Sequence, residues 1–140
     1  MRKALIDSGP LIALFDKSDN YHYAAIKFLK DYDGLLLTTW SVISEVFYML
    51  GFNINTQIDF LKWIERGGLI IQSFSHEHIT RLIELIGKYS DVPMDLADAT
   101  LILASELENI NEVITIDSDF HIYKNIRNEF LNKVFINAGF

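Results

Sequence analysis

Six acids in this chain fall where their side chains can do more than keep it in solution. Asp7 closes a short apolar run in LIDSGP, Asp117 closes another in VITIDSDF with Asp119 just after it, and Glu45, Asp95 and Asp98 lie inside stretches of helical spacing. Each has a structural explanation beside a chemical one. Asp7 can cap a helix opening at Gly9 and Pro10, although Ser8 caps equally well and would leave Asp7 free. Glu45, in SVISEVFYML, either stands just off the apolar stripe and reaches water or sits close to a core, where a carboxylate is costly unless paired or metal-bound; periodicity leaves both open. Asp95, in a first helical turn, is accounted for by the positive end of the helix dipole. Asp98 is less easily explained so: it lies between Ala97 and Ala99 ahead of the apolar LILA, where a solvated acid is not expected. Asp119 suits a turn as well as it suits chemistry.

Taken together the placement says more than any one acid. Two carboxylates at the ends of buried strands and two inside apolar helices can share a crevice only as a repulsive cluster, which a cation would relieve. Mg²⁺ or Mn²⁺ takes oxygen ligands and keeps several waters, and two such ions about 3.5–4 Å apart can activate water and steady the leaving oxygen of a phosphodiester. The chemistry expected of such a cluster is metal-dependent phosphoryl transfer to water. The formal net charge of −7, from 12 basic and 19 acidic side chains, is awkward for a protein acting on a polyanion unless the acids are gathered in a pocket that divalent ions neutralise.

The elements that have to position these acids are readable from apolar runs. Lys3 to Ile6, Leu35 to Thr38, Leu69 to Phe74, Val113 to Ile116 and Lys133 to Ile136 are short, continuous and rich in Leu, Ile, Val or Phe, as buried strands are. Between them, Ala24, Ala25, Phe28, Leu29 and Tyr32 share a helical face, as do Val42, Ile43, Val46, Phe47 and Leu50; further faces run through Ile58 and Leu61, Ile79 to Ile86, and Leu101 to Leu107. Ser8 with Pro10, Asp19 or Asn20, Ser41, Ser75 and Asp91 are expected helix starts, Pro93 lies where another could begin, and Gly34, Gly51, Gly67 and Gly87 are expected stops. Strands apolar throughout and separated by helices predict an α/β fold, a three-layer αβα sandwich with a mostly parallel central sheet. Ligands then bind outside the carboxyl ends of the strands, where Asp7 and Asp117 fall.

At 140 residues, with no repeat or Gly/Pro/Ser-rich linker, the chain is expected to form a single domain spanning residues 1–140. Half of its residues are hydrophobic and 22% are charged, the composition of an ordered domain. The absence of cysteine excludes disulfides, thiolate metal sites and cysteine nucleophiles. The opening MRKALIDSGP is too short in apolar residues for a signal peptide, and no run approaches a membrane span, so a soluble cytoplasmic protein is expected.

These residues, in their order and spacing, resemble the signature of PIN-domain ribonucleases, particularly the VapC-like toxins of bacterial and archaeal toxin–antitoxin pairs. The likeness covers nearly the whole chain: LIDSGPLIALFD, the SEV that holds Glu45, MDLADATLILAS and TIDSDF, together with an opening that includes His22. The resemblance implies that Asp7, Glu45, Asp98 and Asp117 form an acidic quartet that binds Mg²⁺ or Mn²⁺ and activates the attacking water. It gives Ser8 and Thr115 the part of supporting hydroxyls and Asp95 and Asp119 that of accessory acids. It also implies an RNA substrate, a homodimer and an antitoxin that reaches into the acidic pocket.

Other readings are weaker. A receiver domain wants paired acids after the first strand, an Asp after the third and a Lys after the fifth; this chain has a single Asp7, then Phe74-Ser75, then Asn137. A haloacid-dehalogenase-like phosphatase wants Asp-x-Asp where Asp7-Ser8-Gly9 stands. The remaining alternative is a catalytically inactive PIN-like module that binds RNA or protein. His76 and His78 are two apart, and His22 and His121 have no companion at ligand spacing, so zinc is not expected and all four histidines are placed at the surface. Lys17 and Lys124 with Arg127 are candidates to rim the pocket. The helices around Phe47, Tyr48, Phe60 and Trp63 carry more apolar surface than the core is expected to cover, which points to a second copy or an antitoxin.

Overall fold

The computed structural model describes residues 2–92, 94–116, 123–124 and 131–135. Five parallel strands, β1 (Lys3–Ile6), β2 (Leu35–Thr39), β3 (Ile70–Gln72), β4 (Glu112–Thr115) and β5 (Asn132–Phe135), pair in the order β3-β2-β1-β4-β5. The helices are α1 (Ser8–Phe15), α2 (His22–Asp31), α3 (Trp40–Met49), α4 (Ile54–Glu65), α5 (Ile79–Lys88), entered through a 3₁₀ turn at His76–His78, and α6 (Leu96–Glu108). The chain runs one way from β1 through β2 to β3 and returns past β1 to β4, and the right-handed rule for parallel crossovers then puts the helices of the two directions on opposite faces of the sheet. The α/β sandwich predicted from the sequence is the observed one.

The strands lie where continuous apolar runs put them, to within two residues at their ends. Ala4, Leu5 and Ile6 of β1 are fully buried, as are Val113 and Ile114 of β4, because a central parallel strand has helices on both sides. Helix α6 is buried nearly all round, from Ala99 to Ser105, with Leu107 at its exposed end, as befits a helix apolar on every side. Arg81 ties α5 to it by a two-pronged ion pair with Glu106, both contacts 2.8 Å.

Helix ends depart from expectation in several places. The caps are Asp7 for α1, Thr39 for α3 and Asp95 for α6, in place of Ser8, Ser41 and Asp91. Caps of similar strength compete within a few residues, and the one chosen is the one that stands where the chain leaves the sheet or loop in extended conformation. Gly87 lies inside α5 and does not stop it. Helix α6 ends on Asn109, which adopts the left-handed conformation that a terminating residue needs. Pro93 lies outside the described residues. Among them, no helix is long and apolar enough to cross a membrane.

Candidate active site

The chain moves from β1 to β2 on one side and reaches β4 on the other, so the order of the sheet reverses between β1 and β4. At such a switch point the connections leave in opposite directions and open a crevice at the carboxyl ends of the strands. Asp7 is the first residue beyond β1 at this point. Its backbone N–H still donates to Ile114 of β4 at 3.0 Å, and its side chain is buried, 7% exposed. One carboxylate oxygen accepts the Ser8 N–H at 2.8 Å and caps α1; the other accepts the Thr115 hydroxyl, at the end of β4, at 3.2 Å. Asp7 is therefore a cap and a crevice acid at once, and Ser8 does not relieve it of the first duty.

Helix α6 brings the next acids. Asp95 caps it by accepting the Asp98 N–H at 2.8 Å and is itself exposed, so it precedes the first turn that the sequence suggested for it. Asp98 lies in that first turn, half-buried, and its carboxyl is pushed up to about 7, first by burial and then by the negative charges of Asp95 and Asp7. The Tyr123 hydroxyl approaches Asp98 Oδ2 at 3.4 Å. Tyr123 is buried, packed edge-on against Tyr89 at 5.1 Å, and is a member of the site that sequence reasoning missed. No spacing signal could have found it, since its partner is set only by tertiary packing.

Glu45 comes from α3. It stands off the buried stripe of Val42, Ile43 and Val46 and is exposed overall, yet the side turned to the crevice loses enough water to raise its carboxyl above the ordinary value. Asp95 adds to that rise, while hydrogen bonding from Ser8 opposes it. Both explanations left open for Glu45 thus hold in part: it reaches water, and it shares the field of the other acids. The structure brings Asp7, Glu45, Asp95, Asp98, Ser8 and Thr115 to one end of the sheet. Asp117 and Asp119 lie outside the described residues.

An open cleft of about 430 Å³ lies beside Asp7 and Ser8 and is lined further by Gly9, Ile12, Asp19, Tyr21, Met49 and Ile116. Lys17 is exposed on the loop that also carries Tyr21, Lys124 lies half-buried with its N–H on the Tyr89 hydroxyl, and Arg127 lies outside the described residues. His22 is a correction to the sequence reading. It is 7% exposed rather than at the surface, because its Nδ1 lies 2.7 Å from the Ala13 carbonyl and ties α2 to α1. His76 is exposed, and His78 is spent on the Ser75 N–H; His121 lies outside the described residues.

The sequence matches the profile of the PIN domain over residues 4–125. The chain belongs to the PIN domain family. Solved structures share the fold of this PIN domain. One is VapC20 of Mycobacterium tuberculosis, a toxin that cleaves the sarcin–ricin loop, with a TM-score of 0.75 and 14% identity over 83% of this chain and 91% of that one. Another is VapBC2 of Rickettsia felis bound to a DNA fragment from its promoter, with a TM-score of 0.66 and 15% identity over 97% of this chain and all of that one. Comparison with curated proteins gave no match. In this PIN domain the described candidate acids stand at one end of the sheet, and of them Asp7 lines the cleft.

Proposed function

We propose that the PIN domain is an endoribonuclease that hydrolyses RNA phosphodiester bonds with Mg²⁺ or Mn²⁺ held on Asp7, Glu45, Asp98 and Asp117, and that it is the toxin of a toxin–antitoxin pair. The observation that carries this is the gathering of Asp7, Glu45 and Asp98, from three separate elements, at one end of the sheet. Burial and then the negative charges of Asp95 and Asp7 push the Asp98 carboxyl up, as expected of acids held close together with no cation between them. The donors are all oxygen, which suits a hard divalent cation and gives no reason for zinc. Among the described residues no three His, Asp or Glu side chains already surround one point closely enough to hold an ion, so the site is completed by Asp117 or by adjustment of the exposed Glu45.

The metal, when bound, supplies neutralisation of the carboxylates and an activated water for in-line attack on phosphorus. The chain's own residues set the geometry. Asp7 is fixed by the Ser8 N–H and the Thr115 hydroxyl, so it is pre-organised on the sheet. Asp98 is fixed through the Asp95 cap and the Tyr123 hydroxyl, and Glu45, exposed on α3, is met by hydrogen bonding from Ser8. Asp95 and Asp119 act as accessory acids. The fold shared with VapC20, a toxin that cleaves the sarcin–ricin loop, and with VapBC2 bound to a fragment of its promoter supports the reading.

An antitoxin and a second copy of the chain are the proposed partners, and exposed apolar side chains on and before α4 supply surface for them. Phe52, Ile54, Ile58 and Leu61 are 42–63% exposed. Phe60, expected among the surplus, is instead fully buried against Phe15 at 5.4 Å, because α4 turns that face inward.

The test is cleavage of RNA by the purified protein with Mg²⁺ or Mn²⁺. Activity is expected to vanish in EDTA and on Asp98→Asn. Cleavage that survives EDTA would sink the mechanism, and failure to cut any RNA would leave a binding module.

A further inference from the structure

Three helices begin around the crevice, and none of them carries a lysine or arginine: α1 reads SGPLIALF, α3 WSVISEVFYM and α6 LADATLILASELE. Two of the described arginines are engaged elsewhere, Arg2 with Glu112 at 3.1 Å and Arg81 with Glu106 and Glu84. Phosphate contacts from these helices therefore cannot supply the affinity that nucleic-acid binding proteins usually draw from basic side chains. What α3 exposes instead is aromatic. Trp40 is 58% exposed and Tyr48 is 81% exposed, although both rings would be buried if the fold alone had use for them.

Their placement is specific. Trp40, Ser44 and Tyr48 follow one another at intervals of four, so they form one row along α3, with exposed Ser44 as the small residue between two rings about 12 Å apart along the axis. The neighbouring row holds Ser41 and Glu45. Trp40 itself directly follows Thr39, whose hydroxyl touches that of Thr100 on α6 at 2.7 Å, and Leu96, one turn before Thr100, is also 56% exposed. The row thus starts where β2 ends, at the same end of the sheet as Asp7, and runs beside Glu45.

We infer that Trp40 and Tyr48 are a stacking platform for unpaired bases of a single-stranded RNA, holding the strand across the carboxylate crevice by ring contact in place of phosphate contact. Every base presents a flat π face, so such a platform tolerates sequence and demands an unpaired strand. This rests on the ribonuclease reading and adds to it two binding residues, Trp40 and Tyr48, and the ring contact by which they hold the strand. The patch of Phe52, Ile54, Ile58 and Leu61, mostly aliphatic, lies on and before α4 and is a different surface from the α3 row.

The test uses the full chain carrying Trp63→Phe, so that Trp40 is the one indole left, and Asp98→Asn, so that substrate is not consumed in Mg²⁺. A mixed-sequence single-stranded oligoribonucleotide is expected to quench Trp40 fluorescence saturably, and the same sequence as a duplex is not. By anisotropy of a labelled strand, Trp40→Ala is expected to weaken binding about tenfold and Tyr48→Ala comparably, with Trp40→Phe close to the parent. The affinity is expected to fall only weakly with salt, since few counterions are released. Unchanged affinity in Trp40→Ala, with RNA still bound and cut by the wild type, would overturn the platform and leave the nuclease standing. Loss of self-association in Trp40→Ala with RNA affinity intact would also overturn it, by giving the ring to a protein interface. A wild type that neither binds nor cuts RNA would bring down both readings.

Discussion

Asp98 couples the site to stability. In the unfolded chain its carboxyl titrates near 4, and in the folded protein near 7, so over that interval ionisation favours the unfolded state. The contribution is neutral below pH 4, and stability is lost as pH rises from about 4 to about 7. A shift of that size corresponds to about 4 kcal/mol for a fully buried group; half-exposure and solvent screening reduce it to about 1–2 kcal/mol. Asp98→Asn in EDTA is therefore expected to melt about 3–6 °C higher than wild type at pH 8 and equally at pH 4, read by calorimetry. Equal melting at both values would mean that the crowding of Asp98, Asp95 and Asp7 is relieved in solution. The identity of these acids as candidates was legible from their neighbours in sequence, whereas the contributions of Tyr123 and of the double duty of Asp7 were not. A cap and a ligand have the same local signature, a carboxylate just past a strand.

Between elements, the Arg81–Glu106 pair is the one described ion pair with a well-buried member, since the Glu106 side chain is 7% exposed. Breaking a fully buried pair costs about 3–5 kcal/mol; with Arg81 at 22% exposure, Arg81→Met is expected to cost about 2 kcal/mol in urea denaturation, and Glu106→Gln less. Gly34 supplies a second prediction. A Cβ there would stand 2.5 Å from the Arg2 carbonyl oxygen, which itself accepts the Leu35 N–H and aligns β2 with β1. Backbone cannot yield as a side chain does, so Gly34→Ala is expected to lower the urea midpoint by a margin worth about 1–3 kcal/mol. The glycine was visible in the sequence as a helix stop after Tyr32; that a neighbouring strand lies against it was not, because close approach is a property of two segments.

For the molecule as a whole, the negative charge and the uncovered apolar surface lead to separate expectations. Ile58→Glu places a charge in the patch with Phe52, Ile54 and Leu61 while leaving the core of α4, Phe60, untouched. If that patch joins two copies, sedimentation is expected to show a dimer for the wild type and a monomer for the variant, with an unchanged melting profile after correction for concentration. A wild type that stays monomeric across a wide concentration range would count against the dimer. The sequence anticipated surplus apolar surface on these helices but assigned Phe60 to it, since helical period places a residue on a face without saying which face meets the core.

The sequence by itself determined the class of the fold and the ends of the strands where chemistry is possible. Those follow from local energetics: short continuous apolar runs bounded by turn residues suit strands covered on both faces, and helical periods mark the segments between them. Tertiary structure alone decided which acids share a field, which residue caps each helix, that His22 is buried, and that Trp40 stays in water. Each of these depends on contacts between segments distant in sequence. Local pattern carries no information about them, because burial, desolvation and like-charge repulsion act through space.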